Sequence, residues 1–202
     1  MKIAVFGAKG RVGQRVCEIA KKRGHAVFEV EKQKKLSADK QVDVVIDFST
    51  PEATAEICEF CKLHRCHLVS GVTGRDEAEK RLLEELKTHV KVVESANFSK
   101  GVKYLTQICK LLAALNWDCD VVETHRKQKK DSPSGTAKQL ACVVAQNGTP
   151  EVVVHSIRSG SNFGKHEVVF ATEGESITVT HQAENTDIFA LGAIETAEYV
   201  CK

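Results

Sequence analysis

The residues best suited to chemistry lie between 123 and 141, where the chain reads ETHRKQKKDSPSGTAKQLA. A strand-like run ends there in a cluster of basic side chains, which are His125, Arg126, Lys127, Lys129 and Lys130. This basic cluster directly precedes what reads as the N-terminus of a helix, where the peptide dipoles already create positive potential. Cations gathered at that end are unfavourable unless an anion binds among them, so we predict an anionic ligand here.

A glycine-rich segment near the start of the chain is the second candidate site. The sequence GAKGRVG places Gly7, Gly10 and Gly13 directly after a strand-like run and at the start of a helix-like one. Glycines at this spacing permit a tight turn and let the backbone approach a pyrophosphate, which the helix N–H groups face. The spacing alone is equally typical of a plain turn, but its strand–helix–strand context predicts a dinucleotide site.

An acidic residue about 20 positions beyond such a loop binds the adenosine ribose hydroxyls in this type of site. Glu29 and Glu31 are both close enough, and strand alternation lets only one of them point the right way. We favour Glu31, although both could be solvated charges at a strand edge. Lys32, Lys34 and Lys35 follow and could neutralise a 2′-phosphate, so the sequence predicts either NADH or NADPH.

Three further segments follow predicted strands and are rich in small and amide side chains: DFSTPE from Asp47, SGVTG from Ser70 and SANFS from Ser95. In an open α/β sheet, ligands bind outside the carboxyl ends of the strands. Thr73 and Asn97 have ordinary roles as turn residues, yet all three segments together are better explained by a ligand. We expect them to line the nicotinamide half of the cofactor site.

The elements that must position these residues change in pattern near Asn97. Up to that point, apolar strand-like runs alternate with helix-period segments, which predicts a parallel sheet with helices on both faces. Beyond it, three strand-like segments cluster after residue 150 and predict an open mixed or antiparallel sheet. The last segment, DIFALGAIETAEYVCK, is predicted to be a helix. The fold class is therefore α/β, in two closely joined domains.

Composition limits the class of protein. The 202 residues carry a formal net charge of +2 with interspersed signs, which argues against a dedicated nucleic-acid binder. No apolar run approaches the roughly 20 residues of a membrane-spanning helix, and the first residues do not read as a signal peptide. We predict a soluble cytoplasmic protein without membrane or nucleic-acid partners.

The chain contains eight cysteines. Reduced thiols behave as small hydrophobes, and several of these cysteines lie inside apolar stretches and are predicted core residues: Cys17, Cys109 and Cys142. The segment CEFCKLHRCH has zinc-like spacing. However, Cys58 and Cys61 are three apart on a predicted helix whereas His67 opens the next strand, so these side chains diverge. We predict no metal site.

Several motifs, in this order, resemble those of one family: GAKGRVG, DFSTPE, GVTG, ANFSKGV and ETHRKQKKDSPSGTA. The family is that of 4-hydroxy-tetrahydrodipicolinate reductase, and the most specific of its motifs is KxDxPSGTA. The resemblance spans most of the chain. It implies a Rossmann-type parallel-sheet domain formed by residues 1–98 and 186–202, and an inserted α+β substrate and oligomerisation domain at 99–185. It also implies a homotetramer that uses NADH or NADPH to reduce a cyclic unsaturated dicarboxylate in the diaminopimelate and lysine pathway.

Carried over by position, the resemblance makes His125 an acid/base, Lys129 catalytic, and Gly135 and Thr136 carboxylate binders. A dicarboxylate explains the basic cluster, because each charge-assisted hydrogen bond contributes about 1.5 to 3 kcal/mol. The proton that must follow the hydride would come from Lys129 or His125. The implied cofactor contacts fall in three segments: Gly7, Ala8, Lys9, Gly10, Arg11 and Val12; Gly71, Val72 and Thr73; and Ser95, Ala96, Asn97 and Phe98.

The chain departs from the family pattern at three places. Arg126 stands where the family usually has a second histidine, Lys103 where an asparagine often occurs, and the Ser-Arg pair expected before Phe189 is missing. We predict that Arg126 contacts a substrate carboxylate; the alternative is that it points to solvent, since strand alternation turns neighbouring side chains to opposite faces. An aspartate-semialdehyde type of enzyme would need a nucleophilic cysteine near a base, which the sequence does not offer. A dinucleotide-sensing module would have no reason to combine His125, Lys129 and the PSGTA turn.

Overall fold

The structure is a computed structural model that describes residues 1–30 and 41–202. The described chain divides into two compact units, residues 1–98 with 186–202 and residues 99–185. The strands, in chain order, are β1 Lys2–Phe6, β2 Ala26–Val30, β3 Val44–Asp47, β4 His67–Ser70, β5 Val92–Glu94, β6 Asp118–His125, β7 Val152–Arg158, β8 Lys165–Thr172 and β9 Glu175–Gln182. The helices are α1 Arg11–Lys22, α2 Thr54–His64, α3 Glu77–Lys87, α4 Lys100–Ala113, α5 Gly135–Ala145 and α6 Asp187–Val200.

The first unit is a parallel sheet with the strand order β2-β1-β3-β4-β5. Alternate residues of β1 explain why both of its faces carry helices. Ile3 and Val5 join the hydrophobic cluster formed with α1 and α6, whereas Ala4 and Phe6 join the cluster formed with α2 and α3. The strand order reverses between β1 and β3, which is where an open α/β sheet binds its ligand. The predicted fold class is confirmed.

The second unit is a mixed sheet with the order β7-β6-β8-β9. Strands β6 and β7 are parallel, while β8 is antiparallel to both β6 and β9. Its core, made with α4 and α5, contains Leu105, Cys109, Leu140, Val168 and Phe170. In β8 every second residue from His166 to Phe170 is buried, because only one face of the sheet is covered by these helices.

Local sequence signals set several helix ends. Ser134 caps α5, its hydroxyl oxygen accepting from the Ala137 N–H at 3.2 Å. The predicted C-terminal helix is present as α6. Pro51 opens a short 3-10 turn over Pro51–Ala53 rather than α2 itself, which starts at Thr54. No helix within residues 1–30 and 41–202 is long and apolar enough to cross a membrane.

The cysteines divide into core and surface residues. Cys58, Cys61 and Cys66 are buried in the cluster formed by α2 and α3. Cys17 and Cys109 are also buried, whereas Cys142 is exposed. The prediction of a core position for Cys142 is wrong, because α5 buries Ala137, Leu140 and Val144 and turns the position two residues after Leu140 toward solvent.

Candidate active site

The glycine loop after β1 is shaped by close backbone contacts. Gly7 has φ +73°, and a Cβ there would lie 2.5 Å from the carbonyl oxygen of Phe48. A Cβ on Gly13 would lie 2.1 Å from the Gly7 carbonyl oxygen, so α1 packs directly on the loop. Gly10 precedes the first residue of α1 and donates its N–H to Gly7 at 2.9 Å. Only glycine at 7 and 13 permits this approach, which leaves the N-terminus of α1 facing the loop.

A cavity of about 400 Å³ opens beside this loop, between the ends of β1 and β3. Its lining includes Gly7, Gly10, Thr50 and Val30, the last residue of β2. The helix N-terminus, the glycines without side chains and the cavity at the strand-order reversal all fit the diphosphate and adenosine half of a pyridine dinucleotide. The favoured ribose contact, Glu31, and the three lysines after it lie outside the described residues. The alternative, Glu29, is exposed and pairs with Lys21 at 2.6 Å.

The predicted cofactor segments differ in what they can offer a ligand. Ala8 and Phe98 are buried in the core of the first unit, so only their backbone groups can contact a ligand. Lys9, Gly10 and Arg11 are exposed at the start of α1. A Cβ on Gly71 would lie 2.3 Å from a ring carbon of Phe48, which explains the glycine there by packing.

A buried charge network that we did not predict holds the next strand ends. Asp47, at the end of β3, is fully buried and accepts from the Ser70 hydroxyl at 2.8 Å and from Arg75 Nη2 at 3.1 Å. Arg75 also donates to the Val72 carbonyl at 3.1 Å and to Thr54 Oγ1 at 2.9 Å. This network ties segment 71–75 to β3, so it fixes the loop that we predict to contact the nicotinamide.

In the second unit, polar side chains form a row across one face of the sheet. Ser156 of β7 pairs in register with Glu123 of β6, Glu123 with His166 of β8, and His166 with His181 of β9. The Ser134 hydroxyl lies 3.2 Å from His166 Nε2. The capped start of α5 therefore lies against this polar row, which places the helix N-terminus beside titratable side chains.

His125 is the last residue of β6 and lies on the same face as Glu123, two residues earlier. Its Nδ1 contacts Glu123 Oε2, and its ring meets that of His166 edge-on with centroids 5.3 Å apart. Burial lowers the pKa of His125 below its ordinary value of 6.5, although Glu123 acts in the opposite direction. Burial, assisted by the charge of His125, lowers the pKa of His166 to about 4. Both imidazoles are therefore neutral near pH 7.

The remaining predicted substrate residues lie in the loop between β6 and α5 or in the first turn of α5. Lys129 Nζ pairs with Asp131 Oδ1 at 2.8 Å, and its backbone N–H donates to the Arg126 carbonyl at 3.1 Å. Arg126 follows β6 and donates its N–H to Asn162 at 2.9 Å. Gly135 is the first residue of α5, and nothing lies within 4 Å of where its Cβ would be. Open space thus faces the first residue of α5.

Sequence reasoning missed Glu123, Arg158 and His166 in this site. The sequence did contain an indication of Glu123. It is a carboxylate in an apolar strand, two residues before His125, and residues two apart on a strand lie on the same face of the sheet. The sequence contained no such indication for Arg158. It lies 35 residues from Glu123 in the sequence and reaches it only because β6 and β7 pair in parallel.

Comparisons with known proteins cover the whole chain. Residues 1–98 match the family model described as dihydrodipicolinate reductase, N-terminus, and residues 101–202 match the model of its C-terminus. The chain is 36% identical over 202 residues to 4-hydroxy-tetrahydrodipicolinate reductase of Thermosipho africanus, covering 99% of this chain and 91% of that protein. It is 35% identical to the protein of the same name from Xanthomonas axonopodis pv. citri, covering 98% and 91%.

A solved structure has the same fold. It is described as a dipicolinate-bound dihydrodipicolinate reductase from a Paenisporosarcina species, and it superposes with a TM-score of 0.79 at 22% identity. The match covers 100% of this chain and 94% of that one. Both units are therefore included in the likeness.

Proposed function

This chain belongs to the dihydrodipicolinate reductase family, and on that premise we propose that it reduces 4-hydroxy-tetrahydrodipicolinate to tetrahydrodipicolinate with NADH or NADPH. It is an oxidoreductase with a pyridine-nucleotide cofactor, and its reaction belongs to diaminopimelate and lysine biosynthesis. We propose that the reaction takes place in the cytoplasm.

The observation that carries this proposal is the start of α5. Ser134 caps the helix, Gly135 and Thr136 form its first turn, and open space faces Gly135. The positive end of the helix dipole favours an anion there, and Lys129 and Arg126, in the loop that precedes α5, add positive charge. A carboxylate of the substrate satisfies all of these groups, which is the chemistry that the basic cluster predicts.

The residues of the chain have distinct tasks in the proposed reaction. The bound nicotinamide supplies the hydride. Gly135 and Thr136 bind a substrate carboxylate and so orient the ring, since a charged group held at two points cannot rotate freely. Hydride addition leaves negative charge in the ring, and Lys129 or His125 supplies the proton that neutralises it.

The choice between NADH and NADPH rests on the end of β2. Val30 lines the cavity beside the glycine loop, and Glu31 follows it in the sequence. We propose that Glu31 binds the ribose hydroxyls of NADH. The 2′-phosphate of NADPH is bound by the lysines that follow, Lys32, Lys34 and Lys35. The protein then uses both cofactors.

We further propose a homotetramer built through the second unit. The edge strand β7 supports this proposal, because it exposes two apolar side chains, Val153 at 55% and Ile157 at 46%. Apolar side chains at alternate positions of one strand share a face, and such a face is suited to packing against another copy.

The function is tested by following the absorbance of NADH and NADPH while substrate is generated enzymatically from its precursors. We expect both cofactors to be oxidised only when substrate and protein are present together. A folded protein that binds the nucleotides but oxidises neither above background would instead be a dinucleotide-sensing module.

A further prediction concerns Arg126. Its guanidinium cannot lose its proton near neutral pH and suits bidentate carboxylate binding, whereas a histidine binds an anion well only when protonated. Replacing Arg126 with histidine should leave KM near its original value at low pH and raise it as the pH increases through about 6.5, the ordinary pKa of histidine. The measurement is the pH profile of KM for both proteins. Superimposable profiles with equal KM would remove Arg126 from the substrate site.

A further inference from the structure

Glu123 is a fully buried carboxylate to which the proposed reaction gives no task. Its oxygens are held by donors from three directions. Oε1 accepts from Arg158 Nη2 at 2.6 Å, from the Ser156 hydroxyl at 2.7 Å and from the Ser134 N–H at 3.1 Å. Oε2 accepts from Arg158 Nη1 at 2.9 Å and contacts His125 Nδ1. The bidentate guanidinium fixes the plane of this carboxylate.

The donors around Glu123 determine which proton His125 carries. Burial would raise the pKa of Glu123, but the hydrogen bonds from Arg158, Ser156 and His125 outweigh it and hold the pKa at about 2. An ionised carboxylate can only accept hydrogen bonds. The nitrogen that contacts it, His125 Nδ1, must therefore carry the proton, and in the neutral ring Nε2 is left with a lone pair.

Gly164 keeps the opposite side of the imidazole open. It adopts φ +147°, and a Cβ at this position would lie 2.9 Å from His125 Nε2. Side chains rarely tolerate this backbone conformation, and here one would also press on the ring. Glu123 thus holds His125 at Nδ1, while the missing Cβ of Gly164 leaves room beside Nε2.

The other charged and titratable groups around His125 do not compete for its Nδ1 proton. Arg158 of β7 and Lys129 of the loop are cations that disfavour a second proton on the ring. His166 of β8 is neutral near pH 7, since its pKa is about 4. The carboxylate of Glu123 is the group that His125 Nδ1 contacts.

We propose that Glu123 is a positioning residue, which holds His125 as the Nδ1-protonated neutral tautomer and presents Nε2 to the ligand as a hydrogen-bond acceptor. This inference rests on the proposed function and sharpens it. His125 then binds a hydrogen-bond donor of the substrate, such as a ring N–H or a hydroxyl group, and cannot supply the proton near pH 7. Of the two candidate donors, Lys129 is left for that task.

Nitrogen-15 NMR of the histidine-labelled protein tests the tautomer without any variant in the measured sample. The His125 signals are assigned as those lost in His125→Asn. We expect a neutral ring with its proton on Nδ1 near pH 7. A proton on Nε2, or a doubly protonated ring, would overturn the inference even if the enzyme is fully active.

Glu123→Gln tests the positioning itself. The amide oxygen fits the position of Oε1, which has three donors, and this leaves the amide NH2 against His125 Nδ1 and against Arg158 Nη1, which loses its acceptor. The imidazole must then move its proton to Nε2, so the nitrogen that faces the ligand becomes a donor. We expect the NMR signals to report this exchange of tautomers and kcat/KM to fall by about 10- to 100-fold, because a donor then opposes the substrate donor that Nε2 accepted from.

The pH dependence separates this effect from a loss of fold. Glu123 raises the pKa of His125, so its removal should move the acid limb of the kcat/KM profile to lower pH. Glu173→Gln, an exposed glutamate beyond β8, is the matched control and should change neither tautomer nor rate. A folded Glu123→Gln protein with the original tautomer and an unshifted profile would contradict the proposal. If Glu123→Gln does not fold, the His125 tautomer measured by NMR in the unmodified protein still tests the proposal.

Discussion

Replacing Lys129 with alanine is expected to lower kcat by about 10²- to 10⁴-fold, the usual contribution of a positioned proton donor, with cofactor affinity nearly unchanged. Of the two candidate donors, Lys129 is the one that remains if His125 is neutral. Its ammonium group lies at the basic cluster before α5 and pairs with Asp131 at 2.8 Å. Steady-state kinetics of the purified variant, with nucleotide affinity measured by calorimetry, checks this prediction.

Lys129→Arg separates charge from proton donation. Arginine keeps the positive charge but holds its proton at neutral pH, so this variant should recover KM while kcat stays low. Lys130→Ala, which removes an exposed lysine of the same cluster, is the control for a general loss of positive potential. Recovery of kcat in Lys129→Arg, or a Lys129→Ala effect confined to KM, would make Lys129 a carboxylate anchor rather than a proton donor.

Replacing Gly10 with aspartate is expected to reduce the binding of both NADH and NADPH below detection. Gly10 has extended backbone angles, φ −67° and ψ 158°, and precedes the first residue of α1, where aspartate is a favourable cap. The helix should therefore persist while a carboxylate occupies the place of the pyrophosphate. Two anions at one helix N-terminus repel each other, and both cofactors carry the same diphosphate.

Gly10→Asn is the matched variant, since its side chain has nearly the same shape without the charge. A Cβ at this position lies 3.1 Å from the Gly7 carbonyl oxygen, so both variants share this small steric cost. Calorimetric titration should show weakened but measurable binding for Gly10→Asn and none for Gly10→Asp. Unchanged affinity in a folded Gly10→Asp protein would exclude the glycine loop as the cofactor site.

The parts of the fold that follow from local pattern were predictable from the sequence. The alternation of apolar strands and amphipathic helices before Asn97 predicts the parallel sheet, and β1 has helices on both faces because all of Ile3 to Phe6 is apolar. The segment after the basic cluster reads as the start of a helix, and α5 begins there at Gly135. The sequence left the second sheet open between mixed and antiparallel pairing, and the pairing of β6 with β7 makes it mixed.

The parts of the site that depend on distant pairing were not predictable. Arg158 meets Glu123 because β6 and β7 run parallel in a register that no local signal specifies. Likewise, Arg75 reaches Asp47 through a loop conformation, and its charge alone would suggest a solvated surface residue. In both cases a buried carboxylate needs a cation, but the sequence does not show which basic residue pairs with it.

The central claim is that this chain transfers hydride from a nicotinamide to the substrate ring, and isotope transfer tests it most directly. NADH or NADPH carrying deuterium at the transferring position is incubated with the protein and enzymatically generated substrate, and the product is analysed by mass spectrometry. We predict that the unmodified protein forms tetrahydrodipicolinate that contains deuterium from the cofactor. In Lys129→Ala the rate at which this deuterated product forms should fall by the same factor as kcat. A product without deuterium, or no product from a folded protein that binds both ligands, would contradict the account.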